Sequence, residues 1–467
     1  MQSTALRPSQ LERRLRLLVD SLHRTMARYG YELVETSIVQ PADLFLTKAG
    51  DRIISQLFTF ERHGRQLALR PEFTATAAAE YAKRSGDGTE VVRWQFSGPI
   101  FFEASGSETL QAPRISVGAE MIGIPGPLAE VEVIAMAIDG LEAQGGTDWR
   151  LDIGHVGLMR QLLSRFALDS RAERFLLNHL PALKQHGRQY VLEQMERLML
   201  RRSEEPDDRS GGHADETTAA LNTQQMLDAL LDATQRNITM GGRSRHDIVR
   251  RLLQKRQRAA SREQIEAALD FLEAWGEINA PPQEAFGVIE RFIADDDDRA
   301  RTLLSEWRQS VDLLATCGVR AERVRIRPDL ARSWDYYTGI VFELYAAGER
   351  HVAGGGRYDE LIELVGGERA VPAVGFVYYP DQLLAALPQS TSDEPVIALL
   401  AQPVDVALWW AQALRRQGIT VASYADRNTI PDGMRLLTVN PDGSAEYDRR
   451  RFSRHDLDDL VSQLQRA

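Results

Sequence analysis

Four short segments hold residue types and spacings that could carry chemistry: Leu69-Arg70-Pro71-Glu72-Phe73-Thr74-Ala75, Gly98-Pro99-Ile100-Phe101-Phe102-Glu103, Arg332-Ser333-Trp334-Asp335-Tyr336-Tyr337-Thr338-Gly339 and Gly354-Gly355-Gly356-Arg357-Tyr358-Asp359. The glycine cluster has the composition of a phosphate-cradling loop. Neither GxxxxGK[ST] nor GxGxxG is present, however, which leaves a tight turn or a close backbone approach as the plainer use. The run Asp295 to Asp298 offers four adjacent carboxylates to a cation. A calcium loop alternates its ligands and turns on a glycine, so four acids in a row read as a solvated helix junction. The nine histidines show neither HxH nor HExxH spacing, and no metal site is implied.

The elements that must position these segments can be traced along the chain. Leu11, Leu15, Leu18 and Leu22 predict an opening amphipathic helix, rather than an Arg-rich transit peptide. Strand signals follow at Tyr31 to Ile38 and Ile53 to Phe60, and Phe58, Phe60, Leu67 and Leu69 flank a turn at His63-Gly64. Leu128 to Ala143 has helical periodicity and Trp149 to Gly154 returns to strand. From about Val156 to Val319 the pattern is almost entirely helical, with a polar loop predicted at Arg201 to Thr218. Strands return at Val324 to Arg327 and Thr338 to Tyr345. Pro388 to Pro395 reads as a linker, after which Val396 to Leu400, Val404 to Arg416, Val421 to Tyr424 and Leu436 to Val439 form a small α/β unit.

A chain of 467 residues, 43% hydrophobic and 26% charged, is an ordinary globular protein of two or three domains, which excludes disordered and fibrous classes. The net charge of −11 argues against broad non-specific nucleic-acid binding. Only Lys48, Lys83, Lys184 and Lys255 are lysines among 56 basic residues. Cys317 is the sole cysteine, so no internal disulfide forms and a reducing cytoplasm is expected. No run of 18 apolar residues occurs, and no membrane contact is expected.

Taken in order, the four segments resemble the catalytic core of the class II histidyl-tRNA synthetases and their relatives. Gly30-Tyr31-Glu32-Leu33-Val34 to Pro41 is similar to motif 1, Trp94-Gln95-Phe96 through Glu120 to motif 2, and Ala373-Val374-Gly375-Phe376 to the start of motif 3. The resemblance implies an α+β fold: a class II aminoacyl-tRNA synthetase-like antiparallel sheet of six or seven strands flanked by helices. Residues 1–155 and 320–388 would form the core domain and 156–319 a mainly helical insertion. Residues 393–467 would form a small α/β domain resembling a shortened anticodon-binding domain.

The same resemblance implies a pocket for free histidine. Glu72 and Thr74 would meet the α-ammonium, Glu120 and Tyr337 the imidazole nitrogens, and Arg332 the carboxylate. Tyr336 and Tyr358 would be further contacts, and Arg114 a cation that serves if the motif 2 loop shifts register. These roles match donors to acceptors. Ser116 stands where the family often has glutamine. The two arginines with which such synthetases hold ATP are replaced by Phe102 and Gln382, and Glu103 to Gln111 carries two glutamates and no basic residue. Losing one positioned donor at developing charge costs about a hundred- to a thousand-fold in rate.

A histidine pocket without those arginines resembles the regulatory subunits of ATP phosphoribosyltransferase, to which Asp152-Ile153-Gly154-His155-Val156-Gly157 is also similar. That resemblance implies a non-catalytic histidine sensor without cofactor or tRNA, dimeric through the motif 1 region within a hetero-oligomer. The partner would be a short-form ATP phosphoribosyltransferase catalytic subunit. Two other readings stand beside it. A divergent histidine–tRNA ligase is favoured by the C-terminal α/β unit, although residues 393–467 hold 9 Arg against 11 Asp plus Glu. The other is a pseudo-synthetase module for a different amino acid or partner.

Overall fold

Leu18, Leu22 and Met26 recur at helical spacing and are all buried, which seats the first helix, α1 (Pro8–Arg28), on the core. Leu11, expected on the same face, is 49% exposed because the helix outruns the core at its N-terminal end. The computed structural model describes residues 8–46, 56–85, 88–102, 114–200, 260–330, 336–388, 397–400, 402–431 and 434–466. The expectations for residues 53–55, Glu103 to Gln111, Arg201 to Thr218, Arg332 to Asp335 and most of the 388–395 linker lie outside them. The chain divides into two compact units, Met1–Leu387 and Pro388–Ala467.

Eleven strands build the first unit: β1 (Glu32–Leu33), β2 (Val39–Pro41), β3 (Thr59–Arg62), β4 (Arg65–Leu69), β5 (Val92–Ile100), β6 (Arg114–Ile122), β7 (Trp149–His155), β8 (Val324–Ile326), β9 (Ile340–Ala346), β10 (Arg350–Arg357) and β11 (Ala373–Tyr378). The helices after α1 are α2 (Asp43–Leu46), α3 (Thr74–Arg84), α4 (Pro127–Glu142), α5 (Val156–Leu163), α6 (Ser170–Asn178), α7 (Leu180–Leu200), α8 (Arg262–Gly276), α9 (Pro282–Glu290), α10 (Asp298–Thr316), α11 (Leu361–Leu364) and α12 (Pro380–Ala386). Eight strands form the main sheet in the order β1-β5-β6-β11-β10-β9-β7-β8. Its interior pairs are antiparallel, as the resemblance implies. The strand count exceeds the expected six or seven because short β1 and β8 each add a parallel edge, to β5 and β7. A separate three-stranded sheet joins β2, β4 and β3. His63 and Gly64 turn its hairpin with φ of 53° and 70°, the positive pair that a two-residue type I′ turn demands.

One face of the main sheet and all the helices from α4 to α10 share a single apolar cluster, running from Leu18 and Ile134 through Leu151 and Phe342 to Trp275 and Trp307. The described helices after Val156 thus share the sheet's apolar core. The acidic run ends as a helix junction: Asp297 caps α10 by accepting from the Ala300 amide at 2.9 Å. The opposite sheet face carries an aromatic cluster of Phe73, Tyr81, Trp94, Phe96, Tyr336, Tyr337 and Tyr358.

The second unit contains β12 (Ile397–Leu400), α13 (Val404–Arg416), β13 (Val421–Tyr424), β14 (Arg435–Val439), β15 (Ala445–Tyr447), β16 (Arg450–Phe452) and α14 (Leu457–Arg466). Its sheet runs β13-β12-β14-β15-β16, parallel through the first three strands as the βαβ pattern predicts and antiparallel after them. The three-residue strands of the closing hairpin are too short to carry a periodic signal, whereas Leu457, Leu460, Val461 and Leu464 of α14 recur at helical spacing and pack on this unit's core. Trp410 is fully buried here and donates to the Gly443 carbonyl at 3.1 Å.

Trp275 of α8 is fully buried, with Phe271 and Phe292 at ring-centroid distances of 5.4 and 5.5 Å. Trp275→Ala should cost about 3–5 kcal/mol in urea denaturation, the range for deleting a large buried side chain. A loss below about 1 kcal/mol would show that this helix does not share the sheet's core.

Candidate functional site

Glu120 lies two residues from the C-terminal end of β6, 1% exposed, opposite Trp94 of β5 on one side and Gly375 of β11 on the other. The glycine is what admits it, because a Cβ at residue 375 would overlap the Glu120 carboxylate. Next along the sheet, a Cβ at Gly356 would stand 2.9 Å from Tyr337 Cδ1. The GGG run is therefore strand interior, opened for side chains on the pocket face, and not a phosphate loop.

Two hydroxyls hold the Glu120 carboxylate. Thr74 Oγ1 donates to Oε1 at 2.7 Å and Tyr358 Oη donates to Oε2 at 2.6 Å. Thr74 opens α3, and the same helix end binds the second acid: Glu72 accepts from the backbone amides of Thr74 and, at 2.8 Å, Ala75. This is a helix-capping contact, favoured by the partial positive charge of the exposed amides. It leaves Glu72 with lone pairs for a ligand, since a carboxylate offers about four. Tyr336 and Tyr337, 4% and 7% exposed, pack beside these groups, with ring centroids 4.8 Å apart and Tyr336 5.9 Å from Tyr358.

The structure thus brings together Glu72, Thr74, Glu120, Tyr336, Tyr337 and Tyr358. Arg114 does not join them. It is exposed at the first residue of β6, six residues and about 20 Å along the strand from Glu120. Arg332 lies outside the described residues. Ser116 is buried four residues before Glu120 on the same strand face. Phe102 is half-buried against the aromatic cluster, and Gln382 is exposed on α12.

Sequence reading did not single out Arg70 by itself. Its guanidinium is 4% exposed, lies 4.2 Å over the Phe73 ring, and donates to the Pro99 carbonyl at 3.0 Å and the Thr36 carbonyl at 2.8 Å. It ties the chain before β2 to the end of β5 on either side of the Glu72 turn. Its placement two residues before Glu72 is the only signal the sequence offers.

Burial pushes the Glu72 carboxyl up to about 7 against the opposing pull of the Thr74 and Ala75 amides. Burial likewise pushes Glu120 up to about 8, with the Glu72 charge adding to it and the two hydroxyls opposing. Burial also holds the phenols of Tyr336 and Tyr358 well above their ordinary range, so they act as neutral donors. Among the described residues no Lys, Arg or His pairs with either acid. Two buried acids, one threonine hydroxyl and neutral phenols thus lie together on one face of the sheet. Among the described residues no cluster of three or more His, Cys, Asp or Glu could hold a metal.

The family model for histidyl-tRNA synthetase matches residues 4–279 and 213–383. This chain belongs to the histidyl-tRNA synthetase family. Within that family it resembles two kinds of relative. It is 30% identical over 383 residues to the ATP phosphoribosyltransferase regulatory subunit of Rhizobium meliloti, covering 79% of this chain and 95% of that one. It is 27% identical over 408 residues to the histidine–tRNA ligase of Methanocaldococcus jannaschii, covering 86% and 78%. The fold matches the histidyl-tRNA synthetase of Nostoc sp. PCC 7120 with a TM-score of 0.64 at 15% identity over the whole of both chains. Homologues of both kinds lie at comparable distance, so membership fixes the fold and leaves open which activity the family's pocket serves here.

The two raised acids make stability depend on pH with a definite sign. Each holds its proton more tightly folded than unfolded, so their contribution is full below the ordinary carboxylate range and is lost as pH rises through about 7 and about 8. Urea midpoints of the ligand-free protein should fall across this window, and Glu120→Gln should remove the upper part of the fall. A wild-type profile that stays flat there would contradict the burial of the two carboxylates.

Proposed function

We propose that this protein is a non-catalytic, histidine-sensing regulatory subunit of ATP phosphoribosyltransferase, acting at the first step of histidine biosynthesis. The observation that carries the proposal is the contrast between the two ends of β5 and β6. At the Glu120 end two buried acids, a threonine and three tyrosines lie together, a set of groups suited to free histidine. At the other end Phe102 packs among aromatics and offers no donor to a phosphate. Such a pocket binds without activating. The regulatory-subunit relatives, matched over nearly their whole length, support this reading.

Regulation would follow from linkage. Histidine alters a partner's activity only if it favours one assembly state over another. The partner would be a short-form ATP phosphoribosyltransferase catalytic subunit in the cytoplasm, bound by a homodimer of this chain. Leu33, Ile38 and Val39, all exposed in the motif 1 region, offer apolar side chains for the self-contact.

A divergent histidine–tRNA ligase is the second reading, favoured by the small α/β unit after Pro388 and by ligase-named relatives of equal closeness. Calorimetric titration with histidine, and separately with ATP and magnesium, divides the two. The regulatory reading expects histidine binding that Glu120→Ala weakens about ten- to a hundred-fold, the scale of a lost hydrogen bond to a charged group. It also expects no ATP binding and a histidine-sensitive gain in activity when the short catalytic subunit is added. Release of pyrophosphate from histidine and ATP together would return the protein to the ligases. Binding of neither would leave a module for another ligand.

A further inference from the structure

Successive residues of a strand point to opposite sides, so the chain that presents Tyr358 to the pocket sends its neighbour Arg357 to the helix-covered face. Arg357 is 7% exposed and each of its three nitrogens has a partner. Nε donates to Glu130 Oε1 at 2.7 Å, Nη1 to Asp359 Oδ1 at 3.1 Å and Nη2 to the Gly126 carbonyl at 3.1 Å. Glu130 stands in the first turn of α4, where the helix end favours an acid, and is itself 7% exposed. Its other oxygen accepts from Ser310 Oγ of α10 at 2.8 Å.

The main chain around Tyr358 is clamped from the same side. Thr338 N donates to the Arg357 carbonyl at 2.8 Å and Tyr358 N to the Ala373 carbonyl at 2.8 Å, while Ala373 N returns a bond to Asp359 Oδ1 at 2.9 Å. Gly339 leaves room for the arginine stem, since a Cβ there would stand 2.9 Å from Arg357 Cδ. A buried ion pair contributes little net stability compared with apolar residues of the same size, so its use here is better sought in geometry.

We propose that Arg357 and Glu130 are positioning residues for the pocket: by anchoring the chain from beneath the sheet, they aim the Tyr358 hydroxyl at Glu120 and so orient that carboxylate toward the ring N–H of the ligand. The proposal rests on the histidine-binding reading and deepens it. Ser310 extends the anchor to α10, so the packing of that helix bears on the same tyrosine.

The test is a double-mutant cycle on the full chain, read by histidine calorimetry. Glu130→Gln should weaken histidine about tenfold, and Ser310→Ala by a smaller factor. In the Tyr358→Phe background, Glu130→Gln should add little, because the hydroxyl it positions is already gone. Losses that multiply, or a Glu130→Gln variant that melts earlier yet binds normally, would overturn the proposal. A second readout needs no ligand: the ring carbon resonance of Tyr358, assigned by its absence in Tyr358→Phe, should shift in Ser310→Ala and Glu130→Gln. An unmoved resonance would overturn the proposal as well. A wild-type protein that takes up no histidine would sink the functional reading alone, and the resonance would still decide the positioning claim.

Discussion

An ionisable carboxyl in the middle of a sheet is expensive to bury, and this protein's pocket is organised around one. Glu120 has water on neither side of β6 and is supported by two hydroxyls, one from the start of α3 and one from the end of β10. The surrounding design follows from that need. Glycine must sit at 375 to give the acid volume, Thr74 must begin a helix to face it, and Glu72 must cap that helix from within the same cavity. The two hydroxyls offset part of the cost of burial, which is greatest when the acid is ionised.

Relatives named as histidine–tRNA ligases and relatives named as regulatory subunits match this same core. Binding an amino acid needs the acids, the threonine and the phenols. Activating it needs guanidinium groups set at the phosphates in addition. Phe102, half-buried just after β5, packs against the aromatic cluster and offers no such donor.

Much of this was legible in the sequence where local chemistry dictates structure. The positive-φ pair at His63-Gly64, the capping acid at Asp297 and the long periodic helices all follow from near neighbours. The candidate site residues came instead from the family resemblance, and Glu120 lies outside the four segments that first drew attention. What was hidden depends on contacts far apart in the chain. Two-residue β1 has no period to read, and its parallel pairing with β5 arises only once the sheet exists. Glu130 and Arg357 are separated by 227 positions, and nothing in either segment announces the other. Arg114 misled because a basic residue near a motif says nothing of its distance along a strand. The glycine cluster read ambiguously because close backbone approach, a tight turn and a phosphate cradle all call for the same residue.

The sheet glycines set a limit on how this pocket can diversify. With Gly375 and Gly356 each pressed against a pocket side chain, the floor cannot gain even one carbon without displacing Glu120 or Tyr337. Variation in side-chain chemistry on this face must therefore come at Thr74, Tyr336, Tyr337 and Tyr358, because the backbone at positions 356 and 375 leaves no room for a carbon.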